Sequence, residues 1–553
     1  KWENIVNENV PVHDNQNGGP SVPHEVNEQQ MGHLNDEEPE INEPNQGQPN
    51  QAQSEARPTR TKFQPSRFKD FEVRVPPSVK HPTSTTNQAS STIEGVDYHD
   101  MFSPVAKLVT VKTLLTVAVK RDWIIHQLDV NNAFLHGDLN EEIYMKIPQG
   151  FSREGETRVC HLRKSLYGLK QASHNWYHKF TTFLLSLNFK QSKADHSLFI
   201  YETTNTTVIA LIYVDDVIIT GNYPNKIQEV KKQLDKEFSI KDLGTLKYFL
   251  RIEVVKTKYG LVLSQRKYTL DILNDCGKLG CNPSTFPNEQ GLKLDKGEHE
   301  ATVDASQYRR LIGRLLYLQA TRPDITYSVN VLSQFVADPR KSHLEAANRV
   351  LRYLKATPGQ DPRKIHLKAA NHVLQYLKVT PGQGILISRS GDLALKAYCD
   401  TDWLGCSYMR RSCTGYFLLL GGKPISWKSK KQSVVSRYSA EAEYRAMAST
   451  VSEVLWVRWL LSELRIDTSS PTPLFCHNQA SRHIANNPVF HERTKNVEMD
   501  CYFVRKRVNS KEIVPMHISS KLQIADLLTK GPTAHQLQLL LGKISIINLH
   551  ANL

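Results

Sequence analysis

The sequence predicts a multidomain α+β chain, and three observations predict it. Its 553 residues exceed what one hydrophobic core usually organises. Beyond residue 95, apolar runs of strand type alternate with runs of helical spacing. A long polar opening stretch lowers the apolar fraction of the whole to 39%.

The first 56 residues carry eleven Asp and Glu against one basic residue, Lys1. Rich in Asn, Gln and Pro, they cannot bury enough apolar area to offset their ordering entropy, so a disordered segment is expected. The charge then reverses: Arg57–Lys80 holds seven basic residues against two acids. Residues 81–553 hold 62 basic and 43 acidic residues, a balance suited to a polyanionic partner, nucleic acid before membrane surface. The most apolar stretch, Val208–Thr220, is interrupted by Asp215 and Asp216 and falls short of the roughly 20 residues of a membrane span. Eight scattered cysteines lack zinc spacing and read as ordinary thiols. The chain opens on Lys rather than Met, which suggests a fragment.

Four segments anchor the middle of the chain. LVTVKTLLTVAVKRDW has helical spacing, and WIIHQLDVNNAF reads as a strand meeting a polar turn. YHKFTTFLLSLNF reads as a helix, and VIALIYVDDVIIT as two short strands meeting at the Asp pair. Next comes a repeat: Asp338–Gln360 returns as Asp361–Gln383 with 18 of 23 positions identical, each copy one amphipathic helix closed by Pro-Gly. Two copies are too few for a solenoid, so a local tandem duplication is the plainer reading. The expected domains are 1–95 (acidic then basic linker), 96–335, 336–385 (a connection holding the duplication), 386–530, and a tail, 531–553.

Adjacent carboxylates inside an apolar run are costly unless a cation compensates them. Neighbours on a strand point to opposite faces, but at a tight hairpin both can approach one ion. An ordinary Asp-rich turn is the alternative for Asp215 and Asp216 alone. A third acid, Asp129, closes another apolar strand in HQLDVNNAFLHGDL. Three carboxylates at strand ends are what phosphoryl transfer by two Mg²⁺ ions requires.

FSPVAKLVTVKTLLTVAVKRDWIIHQLDVNNAFLHGDLNEEIYMKIPQGF, CHLRKSLYGLKQA, YVDDVIITG and KDLGTLKYFL, in that order, resemble the reverse transcriptase of copia-type LTR retrotransposons. The resemblance implies a palm-type polymerase domain, an antiparallel sheet with helices, over 96–335. It implies Asp129, Asp215 and Asp216 as catalytic metal ligands. Phe134 takes the place of the aromatic gate that favours dNTPs, with a buried core ring as the alternative. Gln149 resembles a dNTP-contacting Gln, with an ordinary loop Gln as the alternative. Two departures stand out. Basic fingers strands of the family's kind are not found before Val96, and Arg251 replaces the Gly of the family's LGIE. QASHNWY (Gln171–Tyr177) also differs from a QAPRQWY-like helix.

Downstream, LKAYCDTDWLGCSYMRRSCTGYFLLLGGKPISWKSKKQ reads as strands with a Gly-Gly hairpin turn. SRYSAEAEYRAMASTVSEVLWVRWLLSEL has helical spacing, TPLFCHNQASRHIA is strand then helix, and MHISSKLQIADLLTK ends in a helix. This order resembles the copia-type ribonuclease H domain, an RNase H-like α/β fold over 386–530. The resemblance places Asp400, Glu443 and Asp526 as catalytic metal ligands, with Asp402 and Glu441 as lesser neighbours. It places His517 where some relatives carry a mobile His that aids product release. His477 stands where the family has an Asp, and imidazole suits Mg²⁺ poorly.

The resemblance implies two Mg²⁺ per site, with Mn²⁺ an alternative. It implies an RNA template, a DNA primer, RNA–DNA hybrid and dNTPs as partners, with no membrane role. The site of action would be a cytoplasmic virus-like particle or the nucleus. The expected function is RNA- and DNA-directed DNA synthesis and hybrid cleavage in transposition, impaired by the losses noted. A catalytically dead nucleic-acid-binding remnant and a pseudogene product are the alternatives. No protease DTG or DSG and no zinc knuckle is found.

Overall fold

A computed structural model describes residues 71–74, 103–148, 150–151, 158–280, 284, 287, 294–356, 382–406, 409–487 and 497–548. The acidic stretch 1–56 and the second repeat copy therefore lie outside the described residues, apart from the repeat's last two positions.

The first sheet has six antiparallel strands, in the order Lys190–Gln191, Leu198–Glu202, Thr207–Tyr213, Asp216–Gly221, Ile125–Val130, Ile240–Thr245. Its central hairpin is apolar at nearly every position because both faces are covered. Val208, Ala210, Ile212, Val217 and Ile219 join one core with Trp176 and Phe180 of helix Ala172–Ser186 and with Val230 and Leu234 of helix Pro224–Phe238. The alternate residues Ile209, Leu211 and Ile218 join another core with Val111 and Leu114 of helix Leu108–Lys120. The period of two in a strand thus distributes one continuous apolar run between two cores. Gly221 ends the hairpin where a Cβ would lie 2.2 Å from the Thr207 carbonyl oxygen.

A second antiparallel sheet is assembled from distant parts of the chain: Tyr248–Phe249, Ile252–Thr257, Gly260–Ser264, Gln383–Ser388 and Ile546–Asn548. Gln383–Ser388 crosses the boundary expected at 385/386, and Ile546–Asn548 lies in the expected tail. Helices Arg266–Asp275, Ala305–Leu318, Thr326–Ser333 and Lys341–Ala356 connect the parts. The first of the two repeats supplies Lys341–Ala356, whose Ala347, Val350, Leu351 and Leu354 are buried. Beside it the buried Arg322 grips Asp324 at 2.7–3.1 Å, with its guanidinium over Tyr353. Burial favours such a pair only when its hydrogen bonds are as well directed as these.

The third sheet is mixed, in the order Lys423–Lys431, Cys413–Leu420, Leu395–Asp402, Thr472–Cys476, Ile513–His517. The first three strands are antiparallel and the last two run parallel to Leu395–Asp402. Gly421 and Gly422, with φ of 57° and 81°, form the two-residue turn that such a hairpin demands. Helix Ser439–Glu463 packs on this sheet and also reaches the first. Trp456 Nε1 donates to the Ala194 carbonyl at 2.8 Å, and the Lys193 amide donates to Glu463 at 3.0 Å. Among the described residues no helix is long and apolar enough to cross a membrane.

Candidate active sites

Ile125–Val130 and Asp216–Gly221 pair antiparallel with Asp129 directly opposite Asp216. Tyr213 pairs with Asp216, so Val214 and Asp215 alone make the turn. The Val130 amide donates to the Asp215 carbonyl at 2.8 Å, tying the turn to the end of the Asp129 strand. Pairing thereby brings together three acids that the sequence separates by 86 positions. Burial, then the charges of Asp215 and Asp129, push the Asp216 carboxyl up to about 6, against a hydrogen bond from Gln127 at 3.3 Å. Burial and Asp215 also raise Asp129, opposed by Lys241. Three half-exposed carboxylates form an oxygen-donor set suited to a hard divalent cation.

Phe134 lies in the single-turn helix Ala133–His136 that follows, with its ring 4.8 Å from that of Tyr167. Its ring is half-buried and packs against the core that holds Trp176 and Phe180. Burial raises the Tyr167 hydroxyl, and the charges of Asp215 and Asp129 raise it further. SLYGLKQA was the signal for Tyr167, although its composition assigned the residue no task. Gln149 lies outside the described residues. Arg251, where a Gly is expected, has φ of 56°, so an L side chain occupies a left-handed position.

In the third sheet Asp400 is wholly buried near the end of the central strand, and Glu443 is buried in the first turns of helix Ser439–Glu463. His477 follows strand Thr472–Cys476, and Asp526 starts the short helix Asp526–Thr529. One ligand atom from each of Asp400, Glu443 and His477 falls within 4.8 Å of the others. His477 Nδ1 is 3.1 Å from Asp400 Oδ1 and its Nε2 is 3.6 Å from Glu443 Oε1. The first contact is off hydrogen-bond alignment, leaving both atoms without a directed partner.

Lys530, to which sequence reasoning assigned nothing, bridges the remaining acids: its ammonium is 3.1 Å from Asp400 and 3.2 Å from Asp526. The only sequence signal was its place four residues after Asp526 on one helical face. Burial works to raise Asp400, but His477, Lys530 and Thr529 outweigh it and hold the carboxyl below its ordinary value. Glu443 is pushed up to about 10, by burial first and then by Cys476 and Asp400. Burial and Asp400 raise Asp526 to about 6, with Lys530 opposing. Proton and ammonium together offset two of the three negative charges that the cluster would otherwise bury.

His517 is exposed at the end of the neighbouring strand, opposite Cys476 and outside the compact group. Glu441 is held by Arg445 at 3.1 Å and by the Arg437 amide at 2.9 Å. Asp402 closes the Asp400 strand opposite Cys413.

Residues 57–290 match the family model described as reverse transcriptase (RNA-dependent DNA polymerase), a segment that contains Asp129, Asp215 and Asp216. The chain is 42% identical over 453 residues to the retrovirus-related Pol polyprotein from transposon RE1 of Arabidopsis thaliana, covering 82% of this chain and 29% of the polyprotein. It is 34% identical over 470 residues to that from transposon TNT 1-94 of Nicotiana tabacum, covering 83% and 33%. It is 33% identical over 332 residues to a transposon Ty5-1 protein of Saccharomyces cerevisiae, covering 59% of this chain and 100% of that protein. A foamy viral protease-reverse transcriptase in complex with RNA/DNA hybrid aligns at 12% identity and a TM-score of 0.41, over 76% of this chain and 46% of that one.

Residues 57–290 thus carry a reverse transcriptase family domain, and the six-stranded sheet with its three acids lies within that segment. The chain belongs to the family of retrovirus-related Pol polyproteins of transposons. It spans about a third of the length of the plant polyproteins it matches.

Proposed function

We propose that the chain is the reverse transcriptase–ribonuclease H region of a copia-type polyprotein, with both activities weakened. The observation that carries this reading is the pairing of Asp129 with Asp216 beside the Asp215 turn, inside the family match. In this reading Asp129, Asp215 and Asp216 would hold Mg²⁺. The metal would activate the primer 3′-hydroxyl and neutralise the dNTP phosphates. Asp129 and Asp216 would supply ligand oxygens from two paired strands, and Phe134, whose ring lies 4.8 Å from that of Tyr167, would be the ring that tests the sugar. A template RNA, a DNA primer and dNTPs are the partners, held by the basic surplus chiefly through phosphates.

The third sheet and helix Ser439–Glu463 form the RNase H-like domain of this reading, with Asp400, Glu443 and Asp526 as its metal-binding acids. The donor set fits the metal less well here. His477 supplies nitrogen where Mg²⁺ prefers oxygen, and the Lys530 ammonium is already paired with two of the acids. That same occupancy favours a second reading, a nucleic-acid-binding remnant without nuclease activity.

Mg²⁺-dependent primer extension on an RNA template tests the first reading. Weak incorporation that Asp215→Ala abolishes supports it. Incorporation indifferent to Asp215→Ala removes the site assignment. Salt-sensitive binding of RNA–DNA hybrid without either activity selects the remnant.

A further inference from the structure

The acid-bearing turn is held in a conformation that its own sequence disfavours. In a two-residue hairpin loop the central positions go to Gly, Asn or Asp, which tolerate positive φ. Here the first is Val214 at φ of 57°. A β-branched side chain in the left-handed region is an outlier that persists only where its surroundings over-determine it. Because Tyr213 and Asp216 form the last ladder pair, the Val214 carbonyl lies beyond the strand pairing. It accepts a hydrogen bond from Trp176 Nε1 at 2.8 Å.

Trp176 is well placed to act as a fixed post. Its side chain is buried to 1% exposure in helix Ala172–Ser186. Its ring lies 5.1 Å from Phe180 and 5.2 Å from Phe238, edge-on to the latter. The two phenyl rings stack on each other at 5.3 Å, so the indole N–H is aimed by a packed cluster and not by a free rotamer. Neighbouring peptide groups share the turn. The carbonyl of Val214 belongs to the peptide bond whose nitrogen is that of Asp215, and the Asp215 carbonyl is bound by the Val130 amide. One donor from the helix and one from the Asp129 strand therefore grip the two successive peptides that flank the Asp215 side chain.

We propose that Trp176 is a positioning residue for the acid trio. Its indole N–H holds the Val214 carbonyl and so fixes the left-handed turn that presents Asp215 alongside Asp129 and Asp216. The inference rests on the reading of these acids as metal ligands, and it adds a residue that touches neither metal nor substrate. It also explains how a Val is tolerated where turn chemistry calls for Gly.

The test is Mn²⁺ binding to the full chain, followed by electron paramagnetic resonance, counting the ion that Asp215→Ala removes. Trp176→Phe keeps an aromatic ring but loses the donor, and it should weaken that ion roughly tenfold, the scale of one half-buried carbonyl left unpaired. Adding Val214→Gly should recover most of the loss, because Gly takes the turn geometry without a clamp. Hydrogen exchange in the peptide spanning the turn should rise in Trp176→Phe and fall back in the double variant. If Trp176→Phe unfolds the aromatic cluster, β-(3-benzothienyl)alanine at position 176 keeps the ring shape, replaces N–H by sulfur, and should give the same weakening. Unchanged Mn²⁺ affinity in the donor-free form, or a loss that Val214→Gly does not recover, overturns the proposal. If Asp215→Ala removes no ion, the metal-ligand reading fails instead.

Discussion

His477 shows how one side chain changes what a buried cluster can do. With Lys530 it gives the buried acids nitrogen partners: the imidazole lies 3.1 Å from Asp400 and 3.6 Å from Glu443, and the ammonium lies 3.1 Å from Asp400 and 3.2 Å from Asp526. Restoring oxygen at this position should reverse the balance. In His477→Asp we expect Mg²⁺-dependent cleavage of the RNA strand to rise by about 10²–10³, the scale of one key electrostatic group. The same variant should melt lower than the parent in chelator and gain more from Mg²⁺, because it adds a negative charge that only a cation can offset. Equal cleavage and equal Mg²⁺ response in both forms would remove His477 from the metal site. Arg251 provides a second case at this scale. A non-Gly residue at φ of 56° carries a conformational cost of about 1–2 kcal/mol, partly offset by its guanidinium 5.3 Å from the Tyr268 ring. Arg251→Gly should therefore leave stability unchanged or raise it by up to about 1 kcal/mol in urea melts. A clear loss would mean that the Arg contacts outweigh the backbone.

The duplication sets two segments of nearly identical sequence one after the other. Copy one provides the helix Lys341–Ala356, with Leu351 and Leu354 in the core. Strand Gln383–Ser388 then pairs with Gly260–Ser264, and there a Cβ on Gly384 would lie 2.3 Å from the Leu263 carbonyl oxygen. Both copies end in TPGQ, so deleting Asp361–Gln383 joins Gln360 to Gly384 and recreates the original junction. The strand keeps its first residue type and its register. We expect the deletion to shift Tm by no more than a few degrees, since Gln360 then stands where Gln383 begins the strand. Collapse of the fold on deletion would show that the second copy supplies core residues of its own.

At the scale of the whole molecule, helix Leu108–Lys120 holds the first and third sheets together. Ten of its thirteen residues are buried, among them Lys112, whose ammonium sits 3.4 Å from the centroid of the Trp427 ring. Burial lowers this Lys well below the ordinary value of 10.5. Between the lowered value and 10.5 the unfolded chain binds a proton that the folded chain does not, so stability rises with pH across that window. Lys112→Met should melt higher than the parent below the window and flatten the rise within it, because a thioether fills the space without desolvating a charge. A lower Tm at every pH would show that the cation–ring contact outweighs burial.

Much of the fold was legible in the sequence because local periodicity encodes it. Helix Leu108–Lys120, helix Ala172–Ser186, the hairpin around Asp215, the Gly421–Gly422 turn and helix Ser439–Glu463 all lie on segments whose spacing announces them. Single residues in recognisable motifs also pointed to Asp129, Asp215, Asp216, Asp400, Glu443 and Asp526. What no local pattern carries is partnership across the chain. Ile546–Asn548 completes a sheet begun at Tyr248, and Lys530 closes an acid cluster on another strand. Trp176 reaches a carbonyl 38 residues away, at a position where Val adopts a backbone that favours Gly. The sequence by itself determined the elements and the family, since those depend on neighbours along the chain. Only the tertiary structure decided which cation neutralises which acid and which donor holds which turn, since those depend on distances that folding alone creates.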